Sequence, residues 1–349
     1  MLIVRPSLPA DLAAIVEIAR HVPVGVTSLR ASREVLAERL EASCAAFEEA
    51  VAEPGDQHYL FSLFDTDSRQ VVGVAGLVGA VGLVEPFYNY RRETLVHASR
   101  PLGIHNQVEV LSLCHDLTGA SLLHAFALLP ACHTPAAAEL LCRARLLFAA
   151  AQPRRFADHF ICELLGVCDA ADQSPVWDSL GRHFFGIDYA RAEAYCAGRG
   201  RSFIAELLPQ HPIYVSLLTP AAQAALGVIH PRAAASAGFL LDEGFALGRY
   251  VDIFDGGPVI EARRDAIVTM QRYRRLSARV VDDLIAAEPL LLASAGVESF
   301  RATLAPVALD TEQAQAMIGR NAAAALGVNS GDALLVVKGG HDAGAFDPA

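Results

Sequence analysis

The sequence predicts a mixed α/β fold of the α+β kind: a mixed sheet with flanking helices and a small β-rich C-terminal region. Three observations predict it. Strand-like and helix-like stretches alternate from residue 2 to about 262 without a repeat. Apolar residues make up 53% of the 349 and charged residues 19%, which allows a large core and argues against disorder. After about Met270 the pattern changes to short β-prone pieces.

Taken in order, Leu2–Arg5 is a short apolar strand. Asp11, after Pro9, opens an amphipathic helix through Ala19, with Leu12, Ile15, Val16 and Ile18 on or near one face. Arg33–Ala52 is a second helix, with Leu36, Leu40, Ala45 and Phe47 as candidate core residues. A hairpin follows: Tyr59–Phe64, a turn at Asp65-Thr66-Asp67-Ser68, then Val71–Val81. Gly73, Gly76 and Gly79 in its second strand mark a bulge or a close backbone approach. Gln107–Leu113 and Ala120–Leu129 read as strands around the turn Asp116-Leu117-Thr118-Gly119. Ala136–Ala151 is a strong helix, and Phe160–Gly166 is another apolar strand. Ser174-Pro175 starts a helix through Val176, Trp177 and Leu180. Between about 200 and 262 come a helix at Ala221–Leu226, the loop Gly227–Pro231, a helix carrying Phe239–Glu243, and a strand at Tyr250–Phe254. In the tail, Leu276–Val280 and Ala302–Val307 are β-prone and Thr311–Ile318 reads as a helix. Leu326–Asp332 then turns into a strand at Ala333–Val337, and His341–Ala349 reads as frayed.

Charge and composition narrow the function. Lys+Arg count 28 against Asp+Glu 39, a formal net charge of -11, so nucleic acid and anionic membrane surfaces are poor partners. The most apolar region, Ala120–Ala151, is broken by His124, Pro130, His133, Pro135, Glu139, Arg143 and Arg145, so no spanning helix is expected. The N-terminus shows no secretory pattern, which points to the cytoplasm. The seven cysteines, Cys44, Cys114, Cys132, Cys142, Cys162, Cys168 and Cys196, form no Cys-x-x-Cys pair. Free thiols and no metal site are expected.

Long segments resemble arginine N-succinyltransferase, most closely its alpha-subunit type. They include Pro23-Val24-Gly25-Val26-Thr27-Ser28-Leu29, Glu85-Pro86-Phe87-Tyr88-Asn89-Tyr90-Arg91 and Leu113-Cys114-His115-Asp116-Leu117-Thr118-Gly119. Others are Gly181-Arg182-His183-Phe184-Phe185, Pro212-Ile213-Tyr214, His230-Pro231 and Tyr250-Val251-Asp252-Ile253-Phe254-Asp255-Gly256-Gly257-Pro258. The matches run from about residue 2 to about 262. The resemblance implies a GNAT (acyl-CoA N-acyltransferase) domain over 1–262, with a family-specific extension from about 195. Residues 263–349 are then the small β-rich region. It also implies an enzyme that moves succinyl from succinyl-CoA to the α-amine of L-arginine, the first step of a bacterial route to glutamate and succinate. Succinyl-CoA is then a co-substrate, and no cofactor is bound permanently. The chain is expected to form an oligomer, with a beta-type subunit as one partner. The alternative is a weakly active or regulatory alpha subunit that supports a paralogous beta chain.

One departure bears on that choice. GNAT enzymes usually cradle the CoA pyrophosphate with a glycine-bearing loop at a helix N-terminus. The corresponding loop here is His133-Thr134-Pro135-Ala136-Ala137-Ala138, with Ala for both glycines and a Pro that lacks an N–H.

Amide formation needs a free amine and a proton for the leaving thiolate, and His is the natural group for both. His230, in the loop Gly227–Pro231, matches the family's proton donor; its bland reading is a capping His. Phe126, on the strand Ala120–Leu129, occupies the family's succinyl-CoA contact position, and its bland reading is core packing. Pantetheine can add to an open strand edge there, whatever the side chain. His115 and Asp116 are the next candidates, for orienting the amine or binding the arginine's charges; a turn Asp bonded to Thr118 and Gly119 is the alternative. Cys114-His115-Asp116 is a poor triad because adjacent side chains point apart. His183 reads as a helix-end His. Asp252 and Asp255 suit either a guanidinium or the turn before Gly256-Gly257-Pro258.

Overall fold

The computed structural model describes residues 1–26, 28–199, 204–284, 287–310 and 312–337. The chain opens with β1 (Leu2–Pro6), α1 (Leu12–Ala19), α2 (Arg33–Glu48) and the hairpin β2 (His58–Asp65) and β3 (Gln70–Val78). Asp65 fixes that hairpin's turn. Its carboxylate accepts the N–H groups of Asp67 and Ser68 and the Ser68 hydroxyl. The Ser68 hydroxyl, the backbone and the N-terminal ammonium pull its pKa down to about 2. A long ribbon follows, β4 (Asn89–Ser99) and β5 (Ile104–Cys114). Then come β6 (Ser121–Leu128), α3 (Pro135–Ala151) and β7 (His159–Glu163).

A mainly helical block comes next: α4 (Pro175–Ser179), α5 (Gly181–Phe185), α6 (Tyr189–Arg199), α7 (Ile204–Leu207), β8 (Ile213–Tyr214) and α8 (Pro220–Ala225). Behind it lie α9 (Ala234–Asp242), β9 (Ala246–Val251), β10 (Pro258–Arg263) and α10 (Val268–Arg272). The tail holds β11 (Tyr273–Val281), β12 (Glu288–Ser294), β13 (Ala302–Asp310), β14 (Gln315–Gly319), α11 (Arg320–Leu326) and β15 (Ala333–Val337). Three helices start the same way. Thr134, Ser174 and Thr219 each accept an N–H from the first turn, and a Pro follows each at the position that needs no donor.

The strands form one sheet, in the order β12-β15-β11-β14-β13-β1-β2-β3-β6-β7-β10-β9-β4-β5-β8. β12 also pairs with β13, so the five tail strands close into a ring around Leu292, Ala305, Ile318 and Leu334. The ring joins the main sheet through Val4 opposite Ala302. Side chains alternate across β2. Leu60 packs with Ile15, Ile18 and Leu40 of α1 and α2. Tyr59 and Phe61 pack with Leu123 and α3 in the largest cluster.

β6 and β7 run parallel for three residue pairs only: Ser121 with Phe160, Leu122 with Ile161, and Leu123 with Cys162. Beyond Leu123, β6 stays on β3 while β7 stays on β10, so the sheet splits into a notch. The β3–β6 ladder slips where Ala125 takes φ +54°. Gly76 belongs to this bulge: a Cβ there would collide with the His124 imidazole.

Several elements differ from expectation. The helix expected at Thr311–Ile318 is instead β14 followed by α11, with Thr311 itself outside the described residues. Burial alternates along Gln315–Gly319, and tertiary pairing with β11 decides for a strand. β4, β10 and β12 form where no strand was expected. The strand expected over Phe160–Gly166 ends at Glu163; beyond it Leu164 N–H still donates to Pro258 O, and Gly166 bridges Ile229. The strand expected at Tyr250–Phe254 begins at Ala246 and ends at Val251, where Asp252 starts a turn. His341–Ala349 lie outside the described residues.

Candidate active site

One arm of the split is the β6 stretch with His124 and Phe126, both half-buried, and the other is the chain that runs on from β7 through Glu163 to Gly166. Among the described residues, the β6 edge beyond Leu123 has no strand beside it on the β7 side. An extended, amide-bearing ligand can pair with such an edge.

His230 reaches the same place by a different route. Its backbone N–H donates to Leu165 O at 2.8 Å, and Ile229 forms a β-bridge with Gly166. These bonds pin the Gly227–Pro231 loop to the end of β7. The Arg232 N–H donates to His230 Nδ1 at 3.0 Å, so the ring caps the turn that precedes α9. Accepting at Nδ1 places the proton of the neutral ring on Nε2. Partial burial, then the nearby Arg232 guanidinium, lower its pKa against the pull of Asp172. His230 is therefore a neutral ring with an Nε2–H donor. The capping reading and a role in chemistry coexist in one residue.

The turn after β9 closes the site from behind. Asp252 Oδ1 accepts the N–H groups of Phe254 and Asp255. Asp255 accepts from Gly166 N–H at 2.8 Å and Gly257 N–H at 2.7 Å, and the Tyr189 hydroxyl lies 3.4 Å away. Burial, then neighbouring Asp252, push the Asp255 carboxyl upward. The turn role expected for this pair is what the geometry shows. The segment around Gly25 packs against the same wall, where a Cβ on Gly25 would strike Leu165 and the Tyr189 hydroxyl.

His115 and Asp116 sit at the end of β5. Asp116 accepts from Arg91 Nη1 at 2.5 Å and from the Tyr250 hydroxyl at 3.3 Å. Burial opposes its charge, but Arg91 overcomes that and holds the carboxyl below its ordinary value. The carboxylate thus ties β5 to β4 and β9 rather than capping its own turn. His115 is exposed, with its ring edge-on to Tyr88 at 6.4 Å, and its carbonyl accepts from Thr118. Among the described residues no hydrogen bond or ion pair joins either to His230. His183 lies exposed in the last turn of α5.

At the start of α3, Thr134 Oγ1 takes the Ala137 N–H, Thr134 O takes that of Ala138, and Pro135 has none. Few first-turn donors remain for an anion. The seven cysteines are all free. No group of three or more His, Cys, Asp or Glu among the described residues is arranged to hold a metal ion. No helix among them is long and apolar enough to cross a membrane.

Sequence reasoning passed over Arg145, on α3. It is 2% exposed, and its guanidinium lies 5.6 Å from the centre of the Phe126 ring. The available signal was two arginines, Arg143 and Arg145, in an otherwise apolar helix.

Known proteins resemble this chain along most of its length. A family model described as arginine N-succinyltransferase beta subunit matches residues 2–269, and the model of that family's C-terminal domain matches 274–338. The chain is 42% identical to arginine N-succinyltransferase subunit alpha of Pseudomonas aeruginosa over 335 residues, 93% of this chain and 99% of that protein. It is also 42% identical to subunit beta of the same organism over 306 residues, 87% and 89% of the two chains. Arginine N-succinyltransferase of Yersinia enterocolitica is 39% identical over 343 residues, 97% and 98% of the two chains. Among solved structures, arginine/ornithine succinyltransferase subunit AI from P. aeruginosa superposes with a TM-score of 0.88 at 40% identity. It covers 97% of this chain and 98% of that one.

Proposed function

The chain belongs to the arginine N-succinyltransferase family, and from that premise we propose that it moves succinyl from succinyl-CoA to the α-amine of L-arginine. The observation that carries this reading is the split between β6 and β7, with His230 pinned at its rim. We read the split sheet as a GNAT fold over residues 1–262, with 263–349 as the β-rich appendage. The pantetheine arm of succinyl-CoA lies along the open β6 edge at Phe126. The arginine enters from the side of Gly25 and the Asp252–Gly257 turn. The amine attacks the thioester carbon, the C–N bond forms and the C–S bond breaks. The proton lost by the amine ends on the thiol. His230 Nε2–H donates to the charge that develops on the thioester during that step. We place the enzyme in the cytoplasm with its acyl-CoA donor, as a subunit of an oligomer that includes a beta-type chain.

A second reading, a weakly active or regulatory alpha subunit, has its own support in the start of α3, where Thr134 and Pro135 leave few donors for a pyrophosphate. Thiol release by the purified chain separates the two. The assay compares succinyl-CoA with acetyl-CoA and arginine with ornithine. Arginine-dependent release from succinyl-CoA supports the enzyme, and release only after a beta-type chain is added supports the second reading.

A further inference from the structure

We infer that Arg145 is the specificity-determining cation for the acyl donor and receives the free carboxylate at the far end of the succinyl chain. The inference rests on the acyl-transfer reading above. It starts from an imbalance within α3. Arg143 is buried and paired, donating to Glu243 at 2.8 Å and to Glu139 at 2.8 Å. Arg145, two residues on, is buried more deeply, and no carboxylate pairs with it among the described residues. Its Nη1 donates to Gly76 O at 3.1 Å and His124 O at 3.3 Å, and its Nη2 lies 3.7 Å from Cys142 Sγ. Its Nε, also buried, has no hydrogen-bond partner among the described residues. A buried guanidinium bonded only to neutral groups is short of its natural counter-charge.

The position of this group gives the inference its direction. His124 is the first β6 residue past the last pair with β7, and Phe126, two residues on, is the residue that the acyl-transfer reading sets against the acyl donor. Cys162, the last β7 residue of that pairing, is close enough for Arg145 to stabilise its thiolate against the burial that pushes its pKa to about 12. Arg145 thus sits at the vertex where the two strands part. An acyl chain whose thioester lies on the β6 edge enters the sheet at that vertex. A carboxylate at its end meets a planar fork with a spare donor, the geometry that arginine offers a carboxylate. A neutral chain of equal length gains nothing there and leaves the cation unpaired.

The test compares two donors of equal carbon count, succinyl-CoA and butyryl-CoA, with arginine as acceptor. The wild type should favour succinyl-CoA in kcat/KM by at least about 10- to 100-fold, the range for a hydrogen bond to a charged group. Arg145→Gln keeps donors for the Gly76 and His124 carbonyls and removes the charge. It should lower kcat/KM for succinyl-CoA by about 10- to 100-fold while sparing butyryl-CoA. Arg145→Lys should restore part of that preference over Gln. An equal loss with both donors, or no loss with either, overturns the inference and leaves Arg145 a strut for the bulge. If Arg145→Gln does not fold, the wild-type ratio decides, and a ratio near one overturns the inference. A wild type that turns over neither donor overturns the acyl-transfer reading itself, an outcome distinct from lost selectivity.

Discussion

His230 holds both its structural and its proposed chemical role through one hydrogen bond. The Arg232 N–H fixes the tautomer, and burial with Arg232 keeps the ring neutral. His230→Ala should lower turnover by about 10²–10⁴-fold, with little change in substrate affinity. His230→Gln should be nearly as damaging, and circular dichroism checks that both variants fold. The pH dependence has a definite sign. The folded-state pKa lies below the unfolded one, so the unfolded chain takes up the proton first. This residue's share of stability should hold above the ordinary histidine range and decline as the pH falls through it, whereas turnover should hold to lower pH and decline only as the folded ring itself takes up a proton. A rate that rises in acid would contradict the neutral donor. Gly76 makes a second test: Gly76→Ala puts a methyl into the His124 ring and should cost about 1–3 kcal/mol in urea unfolding. At this scale His230 and Phe126 were legible only through a resemblance over long segments. Arg145 was not, because an Arg in a largely apolar helix looks the same whether it ends in water, on a carboxylate or beneath a bulge.

The elements were legible where a cap or a one-sided apolar stripe marked them. Ser174-Pro175 shows this, and Thr134-Pro135 and Thr219-Pro220 repeat the signal. β4 gave no such mark because only Asn89 and Tyr90 at its start are buried, and the rest, exposed or half-buried, has no buried face to impose a period of two. β14 was read as helix because five residues of Gln, Ala, Met, Ile and Gly carry little preference until β11 lies beside them. α3 is anchored by a buried cluster in which Arg143 joins Glu139 to Glu243, and Glu243 also accepts from Thr269 N–H and its hydroxyl. Arg143→Ala strips Glu243 of its counter-charge and should cost about 3–5 kcal/mol. The exposed pair of Arg182 and Asp178 gives the control: Arg182→Ala should cost no more than about 1 kcal/mol. Equal losses in the two variants would refute the contrast.

Across the whole molecule, the tail is continuous with the main core. Leu291, Ala293, Phe300, Ala302, Leu335 and Val337 belong to the same buried cluster as α3, and the Thr303 hydroxyl donates to Leu2 O. The change in composition near Met270 was visible in the sequence, but the contacts across it were not, since pairing over some 300 positions leaves no local pattern. Thermal unfolding should therefore follow one transition by both circular dichroism and tryptophan fluorescence from Trp177, and two separated transitions would show an independent tail. The splayed sheet, the pinned His230 and the membership of the family converge on one reaction. The most direct test incubates the purified chain with succinyl-CoA and L-arginine and follows the amino acid by mass spectrometry together with thiol release. N-succinylarginine should form in step with free CoA, and both should be lost in His230→Ala. Thiol release that ignores arginine, or a succinylated product that persists undiminished in His230→Ala, would contradict it.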